Sequence, residues 1–380
     1  MCPDGSGPAN ASLLEAKDLQ RLIDALRRRG YTVHGPTIRD QSMVYAPVES
    51  VADLPAGWIE EQDAGTCRLV KGGTKAFFAH VVGSHSWKQV LHPPQLGLWR
   101  AVRRGGGRQG NGFEIAKETR EAPQQALLGV RACELSAIRI QDRVFLEGPY
   151  VDPHYKARRE GLFIAAVNCT RAGGTCFCAS MRTGPRVGAG YDLALTELAG
   201  DDRHVFVLEP GSPAGREVLG ELPVTAASNA EIHAARTAVE AAAARMGRTL
   251  ETEGLKELLQ RNLEHPRWDA VAARCLACAN CTMVCPTCFC TTVEEATDLS
   301  GQSAERVRKW DSCFSMEFSY IFGGHVRRTT RARYRQWMTH KLSNWHEQFG
   351  TSGCVGCGRC ITWCPAGIDI TEEATAIRGN

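Results

Sequence analysis

CLACANCTMVCP at residues 275–286 and CVGCGRCITWCP at residues 354–365 decide how this chain is read. Cys275, Cys278, Cys281 and Cys285 precede Pro286, and Cys354, Cys357, Cys360 and Cys364 precede Pro365. Both runs are C-x2-C-x2-C-x3-C-P, the spacing that gathers thiolates around [4Fe–4S] clusters. Three thiolates spaced by two residues can come from one turning loop, whose backbone N–H groups can also point at the sulfurs. A short loop cannot wrap a whole cube, so the fourth thiolate comes from elsewhere. In this pattern the fourth Cys of each run ligates the cluster of the other. One cluster is therefore assigned to Cys275, Cys278, Cys281 and Cys364, and the second to Cys354, Cys357, Cys360 and Cys285. Zinc ribbons also use C-x2-C pairs, but zinc needs only four ligands and not the doubled run.

The chain has 380 residues, enough for two or three domains, with 17 cysteines and a net charge of +3. That charge is too mild to imply a nucleic-acid partner. No apolar stretch approaches a membrane span, Leu162–Val167 being a typical short run. Met1–Asn10 lacks a basic region followed by an apolar one, so no secretory leader is expected. Such cysteine usage suggests thiolate–metal chemistry in a reducing compartment, the cytoplasm, rather than a disulfide framework.

Ahead of the two runs the pattern predicts an α/β domain over residues 1–228 and a helical linker over 229–274. The dicluster, ferredoxin-type domain over 275–380 carries a helical insertion between its Cys runs. The fold class is thus multidomain α+β or α/β, with a partly parallel sheet and a helical C-terminal dicluster domain. Leu13, Leu14, Leu19, Leu22, Ile23 and Leu26 predict an amphipathic packing helix over 12–30, stopped by Gly30. Strands are expected at Tyr31–His34, Thr66–Lys71, Lys75–Phe78, Gln125–Arg131, Leu162–Val167 and Val205–Leu208, with a helix over Glu134–Phe145. The alternation suggests βαβ units and a parallel sheet. Ligands gather at the carboxyl ends of such strands. Cys133 and Cys169 follow two of them, and Cys176 and Cys178 lie in the next loop. A third cluster at Cys133, Cys169, Cys176 and Cys178 stands beside the alternative of free, packed thiols.

Other features lend themselves to plainer readings. Ser86-Trp87-Lys88, with His92-Pro93-Pro94 and Leu98-Trp99, fits either a docking surface or ordinary core and turn use. Arg103–Gly112 is glycine-rich but matches neither the G-x-G-x-x-G nor the G-x4-G-K-[ST] pattern, and reads as a flexible loop. Thr287-Cys288-Phe289-Cys290 repeats Thr175-Cys176-Phe177-Cys178. Cys288, Cys290 and Cys313 fit shielding or packing roles, Asp311 being the one nearby fourth ligand for a further metal. Arg327, Arg328, Arg331, Arg333 and Arg335 form a basic run, read as a solvated helix face or a face docking another subunit.

With those residues in view, the chain resembles the beta subunit of cytosolic NAD(P)-linked nickel–iron hydrogenases of the sulfhydrogenase type. It is also similar to the related A subunit of anaerobic sulfite reductase. The strongest pieces are Gly129-Val130-Arg131-Ala132-Cys133-Glu134, Thr175-Cys176-Phe177-Cys178, Trp310-Asp311-Ser312-Cys313-Phe314 and Gly350 to Pro365. The family often has Pro and Asp where this chain has Ala132 and Glu134. The resemblance implies a non-catalytic electron carrier with two [4Fe–4S] clusters. It would sit between a flavin-containing NAD(P)-reductase subunit and the small and large subunits of a nickel–iron hydrogenase. A sulfite-reductase relay and a structural iron–sulfur scaffold are the competing readings. No catalytic residue is assigned, since the chain has no H-E-x-x-H, nucleophile elbow or Rossmann fingerprint.

Overall fold

A computed structural model describes residues 11–104, 112–117 and 123–379. The Met1–Asn10 segment and most of the glycine-rich stretch at 103–112 lie outside them. The first body is built on an eight-stranded mixed sheet. Its order is Thr225–Ala226, Ser12–Glu15, His204–Pro210, Leu193–Ala199, Leu162–Val167, Gln125–Arg131, Thr32–Arg39, Ser42–Pro47. The four strands from Leu193–Ala199 to Thr32–Arg39 pair in parallel. Parallel strands are covered on both faces, which is why Leu162–Val167 reads as an unbroken apolar run. Ala126, Leu128, Phe163 and Ala165 pack under the helix Leu19–Arg28, through Leu19, Leu22, Ile23 and Leu26. Leu127, Ile164 and Ala166 pack on the opposite face against Leu135 and Ile138 of the helix Ala132–Phe145.

Gly129 breaks this alternation. It sits at φ +93° where the pairing with Leu162–Val167 slips by one residue. A β-bulge of this kind re-aims the residues after it. Val130 joins Leu127 in the same cluster, three positions on instead of two. Arg131 then turns into the interior, where its Nη2 donates to the carbonyls of Phe78 (2.7 Å) and His80 (2.6 Å).

Two expectations fail in this body. The helix expected over 12–30 begins only at Leu19. Ser12–Glu15 is a strand between His204–Pro210 and Thr225–Ala226, and Ala16–Asp18 is a single tight turn. Leu14 faces the main core and Leu13 a second cluster with Val205 and Val207, so the pair serves a two-faced strand. Lys75–Phe78 forms no strand, because the Phe77 and Phe78 N–H groups donate to the Glu197 carboxylate at 2.7 and 2.8 Å. Thr66–Lys71 does form, paired with Trp58–Asp63.

The helix Asn229–Ala244 still packs on the sheet, Ala235 against Leu13, Val205 and Val207, and the second body starts with the helices Leu255–Arg261 and Arg267–Arg274. The segment between the Cys runs is not wholly helical, as expected, but opens as the hairpin Thr291–Thr297 and Ser303–Trp310. Ser303–Trp310 pairs with Gln95–Arg103, which pairs with Phe113–Lys117. The β-branched Thr291, Thr292, Val293, Thr297 and Val307 fit this half-exposed sheet better than a helix. Helical structure follows at Thr330–Thr339, a five-residue π-turn at His340–Asn344, and Trp345–Phe349. Trp268, Val271, Phe314, Tyr334, Trp337, Met338, Ile361 and Ile370 form this body's core. Among the described residues no helix is long and apolar enough to cross a membrane.

The helix Ala132–Phe145 joins the two bodies. Gln141 Nε2 donates to the Thr287 carbonyl at 3.0 Å, and Arg143 Nη1 to the Phe349 carbonyl at 2.7 Å. Glu134, 1% exposed, accepts from Arg359 Nη2 at 2.5 Å and from the Tyr45 hydroxyl. Removing one partner of a buried pair strands the other charge and costs about 3–5 kcal/mol. Glu134→Ala should therefore lower the thermal unfolding midpoint sharply. Removing both charges, in Glu134→Leu with Arg359→Met, should cost much less than the single change. Calorimetry under anaerobic conditions reads both.

Candidate iron–sulfur centre

The two Cys runs fold into the same loop. Ala277 and Ala279 lie at φ +51° and +68° in the first, and Gly356 and Gly358 at +62° and +76° in the second. The Ala277 N–H points at Cys275 Sγ and the Gly356 N–H at Cys354 Sγ, both at 3.4 Å. A short helix follows each loop, Asn280–Met283 and Arg359–Thr362. The left-handed residues wind the chain so that the Cys side chains turn inward and the amides face sulfur.

Cys275, Cys278 and Cys281 line one cavity, and Cys364 and Cys360 from the other run line it with them. Its space is roughly 450 Å³, partly open to solvent, walled by Phe314, Tyr334, Trp337, Ile368 and Ile370. Burial first, then Cys275 and Cys364, push the Cys281 thiol up. Cys285 does not line this cavity; it lies among the other run. Burial pushes Cys354 up to about 12, with Cys357 and Cys285 adding to the rise. Burial, then Cys354, Cys357, Cys285 and Cys281, raise Cys360. Cys364 thus lies with the first run and Cys285 with the second, and the two groups of thiols meet at Cys281, Cys285 and Cys360. Thiolate donors in such sets fit a cubane's corners. Among the described residues no three His, Cys, Asp or Glu side chains converge as a single ion would need.

The surroundings of the sets differ. Lys341, 4% exposed, enters the second set from the π-turn. Its Nζ donates to Cys285 Sγ at 3.2 Å, Thr287 Oγ1 at 3.1 Å and the Gly353 carbonyl at 3.1 Å. Burial alone would lower its pKa, but Cys285, then Cys288 and Cys354, hold it well above the usual lysine value. Arg359 is buried beside Cys357, with Nε on the Gly83 carbonyl and Nη2 on that of His85, each at 2.8 Å. Neither cation was singled out in the sequence, although Arg359 stands within the second Cys run.

The other sequence candidates separate. Cys133, Cys169, Cys176 and Cys178 come together at the carboxyl edge of the parallel strands. Cys288 lies beside Cys285, and Cys290 beside Cys313. Asp311 is committed to a turn, its Oδ1 accepting from the Ser312 N–H (2.6 Å) and the Ser315 hydroxyl (2.8 Å). Trp87 is 1% exposed and stacked on Tyr45 at 3.8 Å, so its segment is core rather than a docking surface. In the basic run, Arg331 pairs with Glu264 and Asp269, and Arg335 with Glu264.

Residues 274–368 match the 4Fe-4S dicluster domain family. With the two thiol sets, this defines an iron–sulfur electron-transfer protein of the dicluster class. The chain is also 33% identical over 255 residues to sulfhydrogenase 2 subunit beta of Pyrococcus furiosus. That alignment spans 66% of this chain and 73% of the relative. The chain belongs to the sulfhydrogenase beta-subunit family. No solved structure matches it.

Reduction adds negative charge to an iron–sulfur centre, so a buried ammonium bonded to a ligand sulfur favours the reduced form. Lys341→Met should lower the potential of one centre and leave the other in place, at an unchanged iron content. About 60 mV corresponds to a tenfold shift in a one-electron equilibrium. Lys341→Arg should recover part of the loss. Potentiometric titration followed by electron paramagnetic resonance measures this.

Proposed function

We propose that this chain carries electrons between the small and large subunits of a nickel–iron hydrogenase and a flavin-containing subunit that reduces NAD(P). In this reading Cys275, Cys278, Cys281 and Cys364 hold one cluster, and Cys354, Cys357, Cys360 and Cys285 the other. When bound, such clusters exchange electrons singly, and a flavin can pair them into a hydride. The observation that carries the reading is the junction of the two thiol sets at Cys281, Cys285 and Cys360. It leaves the two sites side by side, as a relay needs. The residues around them hold and tune. Left-handed backbone at Ala277, Ala279, Gly356 and Gly358 turns amides toward sulfur. Phe314, Tyr334 and Trp337 limit water at the first set, and Lys341 supplies a buried charge to the second.

The sulfhydrogenase relative favours this reading over a relay in anaerobic sulfite reductase. A purely structural role for the clusters is the remaining competitor, and redox activity separates it. Cys285→Ser should perturb the centre fed by Cys354, Cys357 and Cys360, and Cys364→Ser the centre fed by Cys275, Cys278 and Cys281. A spectrum in which each run closes its own cluster would contradict the crossing. In an assembled complex, Cys357→Ser should spare hydrogen oxidation with a dye that docks upstream. Dye-linked NAD(P)H oxidation at the flavin subunit should also survive, while hydrogen-dependent NAD(P) reduction falls steeply. Three normal activities in an assembled variant lacking that cluster would show that electrons take another path.

A further inference from the structure

We propose that Cys133, Cys169, Cys176 and Cys178 hold a third [4Fe–4S] cluster, lodged in the sheet body beside Cys357. The topology brings these residues to one place from three segments. Cys133 stands in the first turn of the helix Ala132–Phe145, directly after the strand Gln125–Arg131. Cys169 follows the neighbouring parallel strand Leu162–Val167, its N–H bonded to the Pro185 carbonyl at 3.2 Å. Cys176 and Cys178 come from the loop that docks on the second Cys run, where the Phe177 N–H donates to the Gly356 carbonyl at 2.8 Å. Carboxyl ends of adjacent parallel strands are where such folds place ligands.

The thiols are mutual neighbours. Cys133 and Cys178 pack in one cluster with Cys357, Cys176 Sγ lies 3.9 Å from the Cys357 carbonyl oxygen, and Cys169 and Cys176 lie within electrostatic reach of Cys178. Cys133, Cys176 and Cys178 are less than a tenth exposed. All four are free thiols. A cysteine packed only as a small apolar group has no need of thiol neighbours, yet every member of this group has them.

The walls also fit an anionic centre. Arg131, 2% exposed, places Nη1 3.9 Å from Cys169 Sγ, and its Nε has no partner. Arg359 lies within electrostatic reach of Cys357 and Cys133, and its Nη1 is buried without a partner. Arg359 is already paired with Glu134, and the Arg131 guanidinium beside Cys169 is the desolvated charge that suits thiolates around a cluster better than neutral thiols. Glycines make room on the other sides. A Cβ at Gly184 would stand 3.0 Å from Cys178 Sγ, and one at Gly173 3.3 Å from Cys176 Sγ. Four sulfur donors with no imidazole or carboxylate are an iron–sulfur or a zinc set. The donors come from three separate segments at one sheet edge, a spread that suits the corners of a cubane.

The test is metal and sulfide analysis of the anaerobically purified complex, with spin quantitation of the reduced form. The chain should contribute about twelve iron and twelve sulfide, against about eight for two clusters. Cys176→Ser should remove one third of that iron and one reduced signal. Cys169→Ser, at a half-buried position, should do the same where Cys176→Ser fails to fold. A wild-type contribution of eight iron overturns the proposal, as does an iron content unmoved by Cys169→Ser. One zinc per chain, lost on Cys176→Ser or Cys169→Ser, overturns it equally. The third site is independent of the two-cluster reading above: that reading fails if Cys278→Ser leaves the iron content unchanged, whatever the Cys176 variant does.

Discussion

The pair between Glu134 and Arg359 is the contact on which the two bodies depend. Arg359 belongs to the second Cys run and Glu134 to the helix that leaves the sheet's carboxyl edge, so the bond ties metal-binding loop to scaffold. Both side chains are almost fully buried, at a desolvation cost that one Coulombic contact seldom repays. Compensation comes from the full set of partners. Glu134 also accepts from the Tyr45 hydroxyl and the Arg131 N–H, and Arg359 donates to two backbone carbonyls. Such an arrangement does little for net stability and much for register: a loop displaced from this seat would leave two buried charges unpaired.

Register matters because a cluster needs its thiolates in fixed positions. The seat is extended by the Phe177 N–H to Gly356 carbonyl bond and by Arg248, which spans Asp369 and the Gly174 carbonyl. Helix, loop and sheet edge are thereby locked together around Cys357. The bulge at Gly129 belongs to the same construction. By shifting the strand's facing, it turns Arg131 inward and starts the next helix where Glu134 and Cys133 meet the loop.

The parts legible in the sequence were those whose chemistry is local. Eight cysteines at fixed spacing announce their loops, and an apolar run such as Leu162–Val167 announces a buried strand, because nothing distant is needed to interpret either. Ser12–Glu15 shows the limit. Its leucines suit a helix or a strand, and only pairing with His204–Pro210, nearly two hundred positions away, decides. The hairpin after Cys290 was missed for a like reason, as half its partners lie at Gln95–Arg103. Lys341 was invisible because a lysine on a helix is ordinarily solvated. Its burial arises from a π-turn that no local pattern announces.

The two Cys loops share a backbone yet differ in residue type, and packing accounts for the difference. Alanine can occupy the left-handed region at a cost of about 1–2 kcal/mol, and the first loop accepts it at Ala277 and Ala279, with Cys278 exposed between them. The second loop is pressed against Thr175–Cys178. A Cβ at Gly358 would meet the Thr175 carbonyl oxygen at 2.3 Å, and one at Gly356 the Phe177 carbonyl oxygen at 2.6 Å. Conformation alone therefore does not demand glycine there; close approach does. The same pressure decides the electrostatics. The first loop keeps an edge open to water and lies against aromatic rings, whereas the second is enclosed and needs Lys341 and Arg359 within its walls to balance thiolate charge. Two loops of one design thus provide unequal sites. Solvent exposure and buried positive charge both act on potential, so clusters held by these two loops would differ in their affinity for the electron.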